Sequence, residues 1–278
     1  MASITDCVVE GLKYPFNDIK KLLGVGILCV IIDLISIVFT IKTVDVTKMI
    51  IGTLEKTNAT GFNLNFSQLP NGDIYLAIAM LVVGFIVSLF IMGYQYDVVN
   101  FSINRKDDLP GFGDIVGMFI KGVKYFLVCL VYSIPSMIVA FLAILVSNNS
   151  SLWSVIMVIS VLLIIICYFI LIMALNNMIA HDSLKKAFDF SEIRGNISNL
   201  GWVKYIGTIL FTVIVFMIIN MAIGIVMSFL TVIFAATINN QAIVISIVIS
   251  VIEALFVTSY CSVFFSRVCG SIYREAVK

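Results

Sequence analysis

Six long apolar runs divide the chain, at about 22–41, 74–93, 125–146, 152–175, 205–236 and 242–266. Each is continuous rather than alternating. Each reaches about 20 residues, the length a helix rising ~1.5 Å per residue needs to cross a hydrocarbon core of about 30 Å. Barrel strands would instead alternate apolar and polar residues with period two. The pattern predicts an all-α membrane protein, one polytopic domain over residues 1–278, with six transmembrane helices. Short turns at 147–151 and 237–241 and a longer polar stretch at 42–73 pair the helices into three hairpins. The fifth run is long enough to tilt or to leave the bilayer.

Polar segments precede each hairpin, and each predicts a cytoplasmic amphipathic lead-in helix. The first breaks at Pro15 and restarts behind a cap at Asn17 or Asp18. The three end alike, in Gly11-Leu12-Lys13-Tyr14, Gly122-Val123-Lys124-Tyr125 and Gly201-Trp202-Val203-Lys204-Tyr205. A Lys-Tyr pair suits the headgroup level, where the amine snorkels and the phenol is half wet. Lys13, Tyr14, Lys124, Tyr125, Lys204 and Tyr205 are therefore expected as interfacial anchors. They are either three independent anchors or the ends of a degenerate repeat of lead-in helix plus hairpin.

Charge fixes the expected orientation. Lys13, Lys20, Lys21, Arg105, Lys106, Lys121, Lys124, Lys185, Lys186, Arg194, Lys204, Arg267, Arg274 and Lys278 fall on the side of the termini, and only Lys42, Lys48 and Lys56 fall opposite. Fourteen against three places both termini, including a short basic tail, in the cytoplasm of a plasma-membrane protein. The first apolar run is too long, and lacks the small-residue site, for a cleaved signal. Composition agrees, with 61% apolar and 12% charged residues and a mean hydropathy of +1.13, against about 25% charged in soluble domains. A net charge of +1 argues against nucleic acid as a partner and leaves the lipid bilayer. A homo-oligomer is compatible with the sequence, and no protein partner is legible in it.

The central polar segment carries a signature. Gly93-Tyr94, then Leu109-Pro110-x-Phe112-x-Asp114, then Gly122 with Tyr132 and Pro135 downstream, resembles the membrane family known as domain of unknown function 4013, found in archaea and some bacteria. Ala187-Phe188-Asp189, Glu192-Ile193, Gly201-Trp202 and Tyr205 extend the resemblance over most of the chain. It implies a polytopic helical membrane protein of archaeal type and brings no catalytic residue with it. The chain departs from the family in a longer, less charged outer loop and at Asn104-Arg105, where members often carry glycine.

Candidate chemistry is sparse. Asp33 and Glu253 are the acids inside predicted spans, and neither has a basic partner there. A mid-bilayer carboxylate costs at least roughly 2.5–3.5 kcal/mol. Both are expected to contact an ion or proton, or to hydrogen-bond between helices. Tyr132, Pro135 and Asn220 are candidate cavity-lining residues, and Ser160 a candidate interhelical hydrogen-bonder. Tyr96-Asp97 with Gly111-Phe112-Gly113-Asp114 matches the motifs of presenilin-type intramembrane proteases. Those acids belong on separate spans, whereas here they flank one surface loop, so Asp114 reads as a helix cap. His181-Asp182 reads as surface residues. One histidine and six scattered cysteines offer no metal or cofactor ligand set, and no enzyme is expected. Asn58 and Asn65 head glycosylation triplets on the outer side, as do Asn148 and Asn149, which lie too close to the bilayer to serve. The leading expectation is a transporter- or channel-like module. The alternative is a non-catalytic scaffold or assembly module that binds headgroups or a partner through its cytoplasmic amphipathic segments.

Overall fold

A computed structural model describes residues 4–57, 71–146, 150–237 and 242–278. The glycosylation triplets and the centres of the two short turns lie outside these residues. The chain begins with α1 (Ile4–Lys13) and a 3₁₀ turn at Tyr14–Asn17. Helices α2 (Ile19–Thr57), α3 (Asn71–Ile103), α4 (Ile115–Leu145) and α5 (Ser150–His181) follow. A second 3₁₀ turn, Leu184–Phe188, leads to α6 (Phe190–Leu200), α7 (Trp202–Thr237) and α8 (Ala242–Ile252). A π-helical turn, Glu253–Thr258, then joins α8 to α9 (Ser259–Ala276). Six stretches are long and apolar enough to cross a membrane.

Several expected boundaries move. The segment after residue 41 is not a loop at first, because α2 runs on to Thr57 and covers 39 residues. No proline interrupts it before Pro70, and Gly52 alone costs a helix only about 1 kcal/mol. Likewise α3 continues ten residues past Gly93, because Tyr94, Val98 and Val99 keep one face buried while Gln95 and Asp97 find partners on other helices. The segment before Tyr125 is the first part of α4, not a separate lead-in helix. Only α1 and α6 stand apart from the spans they precede. Gly201, at φ +92°, separates α6 from α7 in a conformation that favours glycine.

Helix α3 packs on α2, α4 and α9, and α1 lies along α9, so both chain ends sit at the same end of the bundle. The buried core is concentrated there. One cluster joins Val8, Val99, Val128, Met173, Met178, Ile197, Tyr205, Phe264 and Ile272. A second joins Tyr14, Val25, Tyr94, Leu109, Met118 and Val263. The expected basic tail is instead the buried end of α9, where Arg267 is 1% exposed. At the far end the helices show their apolar side chains outward, as Phe141, Val158, Met221 and Phe229 do. That is the arrangement lipid contact requires.

Candidate ligand cavity and the hub that supports it

The signature residues fold into one unit. Gly93 and Gly122 let α3 and α4 touch backbone to backbone. A Cβ added at Gly93 would lie 1.9 Å from the Met118 carbonyl oxygen, and one at Gly122 1.8 Å from that of Leu89. Gly24 similarly receives the Phe112 ring, which stacks on Tyr94 at 5.1 Å. After α3 the chain reverses through Arg105, at φ +57°. The Lys106 amide bonds back to Phe101 O and the Arg105 amide to Ser102 O, the pattern of a Schellman cap. Arg105 thus occupies a conformation that glycine adopts freely.

Five consecutive carbonyls of this connector are captured by side chains from elsewhere. Arg267 donates to Lys106 O (2.5 Å), Asn17 to Asp107 O (2.9 Å) and Tyr14 to Asp108 O (2.7 Å). Lys21 donates to Leu109 O (2.7 Å) and Tyr94 to Pro110 O (3.3 Å). A loop so bound exposes few unpaired backbone groups. Arg267 is the centre. Its guanidinium lies over the Tyr14 ring at 4.2 Å and pairs with Glu10 at 2.7 Å, while Arg274 holds the other Glu10 oxygen at 2.6 Å. Burial pushes the Glu10 carboxyl up, but hydrogen bonds and charge from Arg274 and Arg267 outweigh it and hold the group below its ordinary value. Burial raises the Tyr14 phenol to about 12 against the opposing pull of Arg267.

Two expected anchors are therefore corrected. Tyr14 and Tyr205 are not half wet but buried, because their hydroxyls end on protein carbonyls, Asp108 O and Phe169 O. Tyr125 is partly buried and packs on the core. Lys124 bonds Asp182 at 2.8 Å. Lys13 is exposed and Lys204 partly so. The protease-like acids are apart in role: Asp97 pairs with Lys121 at 2.7 Å, and Asp114 caps α4 by accepting from the Gly117 amide at 2.9 Å. His181 does not meet its neighbour Asp182. It faces Asn177 O and Glu192, while Asp182 accepts from Lys124 and Tyr96.

Above the hub lies an open cavity of about 570 Å³, lined by Gln95 of α3, Tyr168 of α5, Val213, Phe216 and Asn220 of α7, Thr258 of the π turn, and Cys261, Ser262 and Phe265 of α9. Gln95 donates to Ser262 Oγ at 2.9 Å and ties α3 to α9. Asn220 donates to Phe216 O at 2.8 Å and reaches Cys261 Sγ at 3.6 Å. No charged residue lines the space. Of the three expected cavity residues, Asn220 lines this cavity. Tyr132 donates to Ala187 O and borders a pocket of about 140 Å³ with Ser133 and Ser136. Pro135 is exposed on an unbroken α4. Ser160 bonds Ser136 O across α4 and α5 at 3.4 Å. Gln95, Thr258 and Ser262 were not legible as site residues, since single polar residues near helix ends give no periodic signal.

Asp33 and Glu253 lie on neighbouring segments, but neither lines this cavity. Asp33 accepts from Ser250 Oγ at 2.8 Å, and Ser250 in turn lines a cleft of about 370 Å³ with Ser36, Thr40 and Ser246. Glu253 opens the π turn. Next to it α2 comes so close that a Cβ at Gly26 would lie 2.3 Å from Leu255 O. Among the described residues no group of three His, Cys, Asp or Glu side chains could hold a metal.

Six apolar spans around a packed polar end define an integral membrane protein. The chain belongs to the family described as Protein of unknown function (DUF4013), which matches residues 75–231. That range holds the α3–α4 glycine contact and the captured connector. It also holds three of the cavity's segments, although α9 lies beyond it. Comparison with curated proteins and with solved structures returns no match.

Proposed function

We propose that this chain is a carrier-type binding module that holds a small ligand inside the membrane, in the cavity between α3, α5, α7 and α9. One observation carries the reading. About 570 Å³ of space receives amide, hydroxyl and thiol groups from separate helices while its walls stay apolar, the composition usual for small-molecule sites of about 300–1,000 Å³. The charge asymmetry of the sequence supports the hub end as cytoplasmic, and the three hairpins, α2–α3, α4–α5 and α7–α8, as the bundle's units. Asp33 and Glu253 stay the ion-contact candidates of this reading, and the Ser250 hydrogen bond of Asp33 serves equally to join α2 and α8.

The test is mass spectrometry of the intact protein released from native membranes, compared with Gln95→Leu/Asn220→Leu. A ligand of constant mass is expected on the wild type and not on the variant. A bare wild type, with both proteins retaining the same protein partner, would overturn the carrier reading. It would leave the scaffold reading, which draws its support from the rigidly held connector at the hub.

A further inference from the structure

We propose that the ligand is an uncharged lipid with a hydroxyl head, entering sideways from the bilayer between α5 and α7; this rests on the carrier reading above. The argument starts from unused hydrogen-bonding capacity. Gln95 donates one amide N–H to Ser262 Oγ, and the Asn220 amide nitrogen donates to Phe216 O and Cys261 Sγ. Neither amide oxygen accepts a hydrogen bond among the described residues. Tyr168 and Thr258 line the same space, and neither hydroxyl has a hydrogen-bond partner among the described residues. Unpaired polar groups cost several kcal/mol each in hydrocarbon. Acceptors and hydroxyls side by side suit a head that both donates and accepts, which is the property of an alcohol. A cation or an anion would bring a charge into a space whose lining offers no countercharge, and the desolvation cost would exclude it.

The route follows from how α5 and α7 diverge. Toward the hub they are joined, with Tyr205 Oη donating to Phe169 O at 2.5 Å and the two rings in edge contact. Away from that joint they make no extended contact. Tyr168, one residue beyond Phe169, is 40% exposed at the rim. The core beneath Val213 and Phe216 closes the path toward the hub. The opening is flanked by outward-facing Ile165, Met217 and Met221, a surface that accommodates an acyl or isoprenoid chain and repels water. The head reaches the amides while the chain stays between the helices.

Cys261 provides a reporter inside the cavity. The wild-type protein is placed in phosphatidylcholine nanodiscs and exposed to a lipid-soluble maleimide or to a sulfonated, water-bound one. Alkylation of Cys261 is then read by peptide mass spectrometry. The lipid-soluble reagent is expected to modify Cys261 and the sulfonated one not. Added diacylglycerol is expected to slow modification about tenfold near saturation, while phosphatidylglycerol and a free fatty acid at equal mole fraction do not. Asn220→Leu is expected to remove the protection while leaving Cys261 reactive, which shows that the variant is folded and its cavity open. Equal protection by the anionic lipids overturns the head-group class but keeps the cavity as a ligand site. Rapid modification by the sulfonated reagent overturns the lateral route. A Cys261 that no reagent reaches and no lipid protects overturns the carrier reading with it.

Discussion

Substituting Gly122 by alanine tests whether the α3–α4 backbone contact holds the hub together. The new Cβ would stand 1.8 Å from Leu89 O, 2.7 Å from Leu89 C and 3.1 Å from the Gly93 amide nitrogen, whereas ordinary contact begins at 3.4 Å. The obstacles are backbone atoms, which no rotamer change can move. Relief therefore requires the two helices to part by about 1.6 Å along that line, the difference between 3.4 and 1.8 Å. A radial gap of even 0.5–1 Å forfeits about a quarter to a half of each dispersion contact it opens. Overpacking usually costs about 1–3 kcal/mol, and an obstacle that cannot yield puts Gly122→Ala at about 3 kcal/mol or more. The assay is thermal unfolding in detergent with a fluorogenic thiol dye, which reports exposure of the buried Cys7, Cys29 and Cys269. Gly195→Ala is the control: it lies in α6, a Cβ there meets nothing within 4 Å, and it is expected to be neutral or to stabilise by up to about 1 kcal/mol. Gly93→Ala forces apart the same α3–α4 contact, with a Cβ 1.9 Å from Met118 O, so the double variant should fall short of additivity. Equal midpoints for Gly122→Ala and Gly195→Ala would refute the reasoning.

Glu10→Gln leaves the buried Arg267 and its neighbour Arg274 without their shared carboxylate, and the same unfolding assay should show a loss of about 3–5 kcal/mol. Because the Glu10 pKa is lowered on folding, its contribution is full above the ordinary value of 4.5 and disappears as pH falls below it. The wild type should lose stability in that window, and Glu10→Gln should lose less. Arg105→Gly should raise the midpoint, through a stabilisation of up to about 1 kcal/mol, since glycine keeps the left-handed conformation without the Cβ clash.

The class of the protein was legible in the sequence because lipid imposes a length and an all-round apolar surface, and both are one-dimensional properties. The Asp114 cap was legible for a similar reason, since it acts within three residues of itself. Helix ends were not. Hydropathy falls at Gln95 and Asp97, yet α3 continues, because the partners that permit it, Ser262 and Lys121, come from elsewhere in the chain. The Lys-Tyr endings matched the interface in type, but the position of a phenol depends on what lies beside it. For Tyr14 that neighbour is Arg267, brought from the opposite end of the chain.

The sequence by itself determined six apolar helices and a charge asymmetry between their connecting segments. These follow from local solvent preference. Only the tertiary structure decided that five carbonyls of the central connector would be held by five separate side chains. It likewise decided that Gln95, Asn220 and Thr258 would face one cavity, and that Asp33 would meet Ser250 rather than Glu253. Those outcomes depend on the rotation and depth of helices far apart in the chain, which packing of whole surfaces fixes and no local pattern encodes.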